Sequence, residues 1–71
     1  DISNEQLFES AKKLAITKNK NAHSLSIDIL KVLVWRKWEK RFGIVKDPKF
    51  NSLINKDEWS EIIKLLERSR T

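Results

Sequence analysis

The first quarter of the chain has the hydrophobic spacing of an amphipathic helix. Ser3 and Gln6 stand three residues apart, which is the spacing of a capping box at a helix start. The apolar positions that follow recur at intervals of three and four: Leu7, Phe8, Ala11, Leu14 and Ala15. Such a stripe predicts a first helix over residues 4–17. Residues 17–23 lack an apolar period and are predicted to form an exposed loop or a frayed extension of that helix.

The central part of the chain is apolar on almost every side. Four of its apolar residues keep a four-residue spacing: Leu30, Val34, Trp38 and Phe42. This spacing runs well past the length of a strand, so it favours a helix over a strand. We expect this second helix to be capped at Ser24 or Ser26 and to stop at Gly43. A helix that is apolar nearly all round is typically the central one, covered on two sides.

A short turn is predicted after the second helix. Asp47 is placed to cap a 3₁₀ turn over residues 48–53, with Pro48 at its first position. Phe50 and Leu53 are expected to point inward from this turn. The turn therefore joins the second helix to the remainder of the core.

A third helix completes the predicted fold. Asn55 and Glu58 have the spacing of a second capping box. The helix after them carries an apolar stripe: Trp59, Ile62, Ile63 and Leu66. The sequence therefore predicts an all-α fold, a three-helix bundle with a short 3₁₀ turn between helices two and three.

The composition narrows the possible chemistry. The 71 residues contain no Cys and a single His, which leaves no disulfide framework, no thiol chemistry and no zinc site built from several imidazoles. No apolar run reaches the ~18 residues that cross a bilayer, so no membrane partner is expected. His23 is expected to be solvated, and the only glycine is read as a helix stop rather than part of a phosphate-binding loop. We therefore expect a non-enzymatic protein with no cofactor and no metal.

The length fits one small module, residues 1–71. The chain contains no Met, so we expect it to be a module excised from a larger protein. Its three tryptophans have different expected roles. Trp38 and Trp59 lie on the apolar stripes and are predicted to be core residues, whereas Trp35 has charged neighbours one turn away on either side and is placed at the edge of the apolar face.

Positive charge is concentrated in one segment. Fifteen Lys and Arg against ten Asp and Glu give a net charge of +5, and residues 36–49 carry six basic and two acidic residues. The six basic residues are the candidate partner-binding residues: Arg36, Lys37, Lys40, Arg41, Lys46 and Lys49. Clustered Lys and Arg favour acidic or phosphorylated peptides, or a nucleic-acid backbone. A solvated surface that only keeps the domain soluble is the simpler alternative.

The second half of the chain resembles the FF domain, a family named for two phenylalanines. The residues that carry the resemblance are Trp38, the run Asp47-Pro48-Lys49-Phe50, Leu53 and the third helix from Trp59 to Leu66. Phe8 resembles the first name-giving aromatic residue. The chain differs from the family in having Lys49 where the family prefers Arg, and Ile62 or Ile63 in place of the second phenylalanine.

The resemblance implies a function in protein docking. FF domains occur in nuclear scaffolds of pre-mRNA splicing and transcription, including a yeast pre-mRNA-processing scaffold that also carries WW domains. The implied module is a nuclear monomer that binds acidic or phosphorylated protein segments. The tail of RNA polymerase II and spliceosomal proteins are examples of such partners.

Two other functions use the same features. A small nucleic-acid-binding domain of helix-turn-helix or Myb-like kind would use the same basic residues, but its recognition helix needs exposed base-reading side chains. The third helix instead offers Glu58, Glu61 and Glu67, which repel phosphate and disfavour direct nucleic-acid binding. The other alternative is a domain that spaces its neighbours or packs on another subunit through an apolar patch around Trp35 and Ile44.

Overall fold

Three α-helices and two 3₁₀ helices make up the fold. The computed structural model describes residues 2–70, and within them it contains no strand, as the sequence predicted. The elements are α1 (Asn4–Ile16), α2 (Lys20–Trp35), the first 3₁₀ helix (Arg41–Lys46), the second 3₁₀ helix (Pro48–Phe50) and α3 (Asp57–Arg68). Helix α2 packs against both α1 and α3, which confirms its central position.

Helix α1 has the start that the sequence predicted. The Gln6 backbone N–H donates to the Ser3 hydroxyl at 3.2 Å, and the Ser3 N–H donates to the Gln6 side-chain oxygen at 3.1 Å. This reciprocal pair is a complete capping box. The helix ends at Ile16, one residue before the predicted end, and Thr17 is its C-cap.

Helix α2 begins earlier than predicted. Its N-cap is Asn19, whose side-chain oxygen accepts from the backbone N–H groups of Asn21 at 2.8 Å and Ala22 at 3.2 Å. The predicted cap at Ser24 or Ser26 is therefore wrong. Asn is as good an N-cap residue as Ser, and Asn19 lies earlier in the chain. The segment predicted as a loop shrinks to residues 17–19.

Ser26 has a different role, at the contact between α1 and α2. Its side chain is fully buried, and its hydroxyl donates to the Ala11 carbonyl at 2.7 Å. A buried hydroxyl needs such a partner, because an unpaired one would be costly to desolvate. The small residues Ala11 and Ala15 on α1 are also buried, and they let the two helices approach closely.

Helix α2 also ends earlier than predicted, at Trp35 rather than near Gly43. Lys37 adopts the left-handed conformation, with φ of 58°. The Lys37 N–H donates to the Val34 carbonyl at 3.0 Å, and the Trp38 N–H donates to the Leu33 carbonyl at 3.2 Å. This pair of hydrogen bonds is a Schellman motif, a common helix ending that usually places Gly at the left-handed position. The chain therefore reverses at Lys37, and Gly43 falls within the first 3₁₀ helix.

The aromatic core joins α1, the chain reversal after α2, the second 3₁₀ helix and α3. Phe8 of α1 lies with its ring centroid 5.0 Å from that of Trp38 and 5.8 Å from that of Phe50. Phe50 continues the series to Trp59 of α3, at 6.2 Å. Trp38 and Trp59 are each only 6% exposed, so both predicted core tryptophans are confirmed. Trp38 reaches the core from the chain reversal after α2 and not from the helix itself.

The connection between α2 and α3 buries more than the sequence suggested. The Lys49 N–H donates to the Asp47 carboxylate at 2.9 Å, with Pro48 at the first position, which confirms the predicted cap. Phe50 and Leu53 are buried, also as predicted. The first 3₁₀ helix was not predicted, and it buries Ile44 completely, so the suggested exposed patch with Trp35 is wrong in including Ile44.

Helix α3 starts without the second capping box. Its N-cap is Lys56, which makes no side-chain capping hydrogen bond, so the predicted pairing of Asn55 with Glu58 is wrong. Asp57 and Glu58 lie in the first turn, where their negative charge interacts favourably with the helix dipole. The predicted apolar stripe is buried at Trp59, Ile62 and Leu66 and half-buried at Ile63.

Candidate protein-docking surface

The six basic residues of segment 36–49 all lie outside α2, because that helix ends at Trp35. We call them the basic cluster: Arg36, Lys37, Lys40, Arg41, Lys46 and Lys49. The predicted stop of the second helix at Gly43 would have placed the first four on its last turns. The last turn of α2 contains no basic residue. The cluster instead belongs to the chain reversal and the two 3₁₀ helices.

Arg41 forms hydrogen bonds within the protein. Its Nε donates to the Ser69 hydroxyl at 2.6 Å, and its Nη2 donates to the Ser69 carbonyl at 3.2 Å. Its Nη1 donates to the Trp38 carbonyl at 2.8 Å, and the guanidinium lies 4.6 Å from the centroid of the Phe42 ring. These contacts tie the chain reversal to the end of α3. Arg41 is therefore engaged within the molecule, and little of its hydrogen-bonding capacity is left for a partner.

Arg36 also has an internal role. Its Nη1 donates to the Ile2 carbonyl at 3.3 Å and to the Asn4 side-chain oxygen at 3.2 Å. The residue is exposed, so these bonds are weaker than those of Arg41. They link the end of α2 to the start of α1.

The four lysines of the cluster are exposed. The ion pairs Lys12 with Glu9 and Lys31 with Glu61 lie within residues 2–70, and none of the four cluster lysines takes part in an ion pair among these residues. An exposed ammonium without an internal counter-ion is available to an anionic partner. Lys37, Lys40, Lys46 and Lys49 are therefore the members that can contact a partner.

The surroundings of Lys40 are mixed in charge. Lys40 lines a depression of about 360 Å³ whose aromatic wall is formed by Phe8 and Trp38. Three carboxylate residues share that lining: Glu5, Glu9 and Asp47. The Trp38 indole N–H donates to the Glu5 carboxylate at 3.3 Å, and the Asp47 carboxylate accepts from the Lys49 N–H. The positive charge of Lys40 therefore stands beside negative charge, which the linear sequence did not indicate.

Lys49 lies in a more uniformly basic neighbourhood. It lines a shallow depression together with Lys18 and His23, which come from the α1–α2 connection and from the first turns of α2. The wall between them is largely apolar and includes Ile16 and Pro48. His23 lies on α2 and is half-buried, whereas the sequence suggested a solvated loop position. Sequence distance concealed this grouping, because Lys18 and Lys49 belong to different elements.

Trp35 is far more exposed than its predicted edge position implied. Its exposed fraction is 80%, and it lines a depression with Val34, Lys37 and Leu65 between α2 and α3. A second depression continues along the same two helices and includes Lys31, Lys64 and Leu65. We call the two together the α2–α3 groove. The charged neighbours of Trp35 in the sequence were the signal for a position away from the core.

One ion pair crosses the α2–α3 groove. The Lys31 ammonium lies 2.5 Å from the Glu61 carboxylate, in an exposed position. The hydrogen bond from Lys31, together with its positive charge, holds the pKa of Glu61 below its ordinary value. Glu61 is therefore already paired with Lys31.

The described residues offer little to other kinds of site. They contain no group of three His, Cys, Asp or Glu residues placed to hold a metal ion. None of the helices in residues 2–70 combines the length and the apolar character that a bilayer crossing requires. The depressions on the surface are shallow and are lined mainly by helix and turn side chains.

Comparisons of the chain with protein-family models, with curated proteins and with solved structures give no match. The FF resemblance therefore remains a prediction from the motif residues. The segment that contains the exposed cluster lysines, residues 36–49, holds six basic and two acidic residues.

Proposed function

We propose that this protein is a docking module that binds acidic or phosphorylated protein segments through the basic cluster. The observation that carries the proposal is the set of four exposed lysines, Lys37, Lys40, Lys46 and Lys49, which have no internal ion-pair partner among the described residues. Carboxylates and phosphates form their strongest hydrogen bonds with such charged donors. Arg36 and Arg41 support the surface by fixing the chain reversal that displays the lysines.

The FF resemblance supports the same function. The order of two helices, a 3₁₀ element and a third helix agrees with that family, and the motif residues Trp38 and Phe50 lie in the aromatic core. On this basis we propose a nuclear scaffold of pre-mRNA splicing or transcription as the parent protein. The polymerase tail and spliceosomal proteins remain the proposed sources of the acidic or phosphorylated segment.

Nucleic acid is the less favoured partner of the basic cluster. Glu58, Glu61 and Glu67 of α3 are all exposed, and they give that helix an acidic outer surface. Three carboxylate residues also line the depression that contains Lys40. A phosphate backbone needs a continuous positive track, because each contact contributes through the release of counter-ions. Interrupted charge suits a short acidic segment better.

A double charge reversal tests the proposal. Lys40→Glu with Lys46→Glu should reduce the affinity for an acidic or phosphorylated peptide at least tenfold, measured by calorimetry at physiological salt. The matched control is Lys13→Glu with Lys20→Glu, which makes the same change in net charge at exposed positions outside the cluster. Circular dichroism should show intact helices in both variants, because exposed charges contribute little to folding.

Two results would contradict the proposal. Equal peptide affinity in the cluster variant and in the control variant would show that the lysines of segment 36–49 are not the contact residues. Micromolar binding of a short duplex at physiological salt, with a steep salt dependence, would instead identify a nucleic-acid-binding domain.

A further inference from the structure

The most exposed large apolar side chain of the protein is Trp35, at the last residue of α2. Its exposed fraction is 80%, against 6% for Trp38 and 6% for Trp59. Scattered exposed aliphatic residues are ordinary on a folded protein, but a tryptophan offers a much larger apolar area. Tryptophan is also among the residues most enriched at the centres of protein interfaces.

Trp35 stands at one end of the α2–α3 groove. The two depressions that make up the groove share Leu65 and Arg68 as lining residues, so they form one continuous surface between the helices. Their volumes are about 180 Å³ beside Trp35 and about 350 Å³ beside Lys31. A surface of this kind is too open to enclose a small molecule, but it has the shape that a protein segment can follow.

The groove combines an apolar floor with a basic rim. The floor is aliphatic: Val34 is buried beneath it, and the half-buried Leu65 offers carbon surface to a partner. Lys37 and Lys64 are exposed at the rim, and neither belongs to an ion pair among the described residues. Glu61 is the acidic lining residue, and Lys31 already holds it at 2.5 Å. The charges that Lys37 and Lys64 present to a partner are positive.

We propose that the α2–α3 groove binds an amphipathic acidic protein segment, with an aliphatic side chain of that segment packed between Trp35 and Leu65. Lys37 and Lys64 pair with carboxylates on either side of this apolar anchor. The inference rests on the proposed function, because it names a second contact surface for the same class of partner. A second copy of this chain fits less well, because its net charge of +5 would face the basic rim.

Three peptides of about 16 residues separate the apolar contribution from the acidic one. The first is an acidic amphipathic helix with leucines on one face, the second replaces its leucines with serine, and the third replaces its acidic residues with glutamine. Trp35 fluorescence should report binding, since it is the exposed tryptophan among residues 2–70 and its emission should shift to shorter wavelength on burial. We expect the first peptide to bind at least tenfold more tightly than either of the others.

Single substitutions test whether the peptide contacts the α2–α3 groove. Trp35→Ala should weaken binding of the first peptide about tenfold or more, as expected for an interface anchor. Calorimetry measures the affinity here, because this variant lacks the fluorescent Trp35. Lys64→Glu should weaken it as well, by removing a carboxylate partner. The matched control is Ile54→Ala, which removes another exposed apolar side chain from a position outside the groove lining and should leave affinity unchanged. All three replacements are at exposed positions, and unchanged circular dichroism would verify their fold.

The outcomes distinguish this inference from the proposed function. If the acidic peptides bind equally with and without leucines, and Trp35→Ala has no effect, the groove inference is wrong while acidic docking through the basic cluster stands. If the glutamine peptide binds as tightly as the acidic one, the acidic occupant is wrong and so is the proposed function. If a single-stranded oligonucleotide shifts Trp35 emission at physiological salt and no peptide does, both proposals are overturned in favour of nucleic acid.

Discussion

At the residue scale, Trp38 is central to the aromatic core, because it is 6% exposed and packs on the ring of Phe8. Trp38 was expected in the core because it falls on the four-residue spacing of the second helix. It is buried, but it lies beyond the helix end and packs on Phe8 with ring centroids 5.0 Å apart. Apolar character alone predicts burial. The partner is set by tertiary packing, which the sequence spacing does not encode.

Replacing Trp38 should remove much of the stability of the fold. Trp38→Ala should cost about 3–5 kcal/mol, through lost burial and the cavity left beside Phe8 of α1. Denaturant unfolding followed by circular dichroism measures this, with Trp35→Ala as the control that should change stability by no more than about 0.5 kcal/mol. A Trp38→Ala protein that unfolds at the same denaturant concentration as wild type would contradict the aromatic core described above.

The ion pair between Lys31 and Glu61 predicts a local pH dependence. Because Lys31 lowers the pKa of Glu61 in the folded state, the pair stabilises the fold above the unfolded pKa of that carboxyl group and loses this effect as the pH falls through the folded value. Lys31→Ala should return the pKa of Glu61 toward its ordinary value, measurable by NMR titration of the side-chain carboxyl. An unchanged Glu61 titration in that variant would show that Lys31 is not the cause.

At the element scale, helix existence was predictable and helix ends were not. All three helices and the turn at Asp47 follow from apolar spacing and capping residues. The predicted ends of α2 were wrong, because several residues near each end can cap a helix with similar energies. The N-cap is Asn19 and not Ser24 or Ser26. At the other end, Lys37 adopts the left-handed conformation, although the sequence predicted the helix stop at Gly43. Trp38 and Ile44, which follow the reversal at Lys37, are both buried.

The left-handed conformation of Lys37 predicts a stabilising substitution. A non-glycine residue there loses roughly 1 kcal/mol to the contact between its Cβ and the following carbonyl. Lys37→Gly should therefore raise the free energy of unfolding by about 0.5–1 kcal/mol. Lys37→Ala, which removes the same charge but keeps a Cβ, should give no such gain. If the two variants have equal unfolding midpoints, the helix ending is not under the strain inferred here.

At the scale of the whole molecule, the sequence located the excess charge but not its arrangement. Segment 36–49 does carry most of the net charge, yet its members face different surroundings. Arg41 is used by Ser69 and the chain reversal, Lys40 stands among carboxylates, and Lys49 joins Lys18 and His23. Trp35 was predicted at the edge of the apolar face, and its exposed fraction of 80% exceeds that prediction. Such groupings arise from the packing of distant segments, which a linear charge count does not contain.

The most direct test of the docking function is an NMR titration of the isotope-labelled protein with an acidic or phosphorylated peptide at physiological salt. The account predicts that backbone amide signals of Lys37, Lys40 and Lys46 shift in a saturable manner, while those of Lys13 and Lys20 on the other elements stay in place. A duplex oligonucleotide at the same concentration should leave the spectrum nearly unchanged. Peptide-induced shifts confined to residues outside segment 36–49, or no shifts at millimolar peptide, would contradict the claim that the basic cluster is a docking surface.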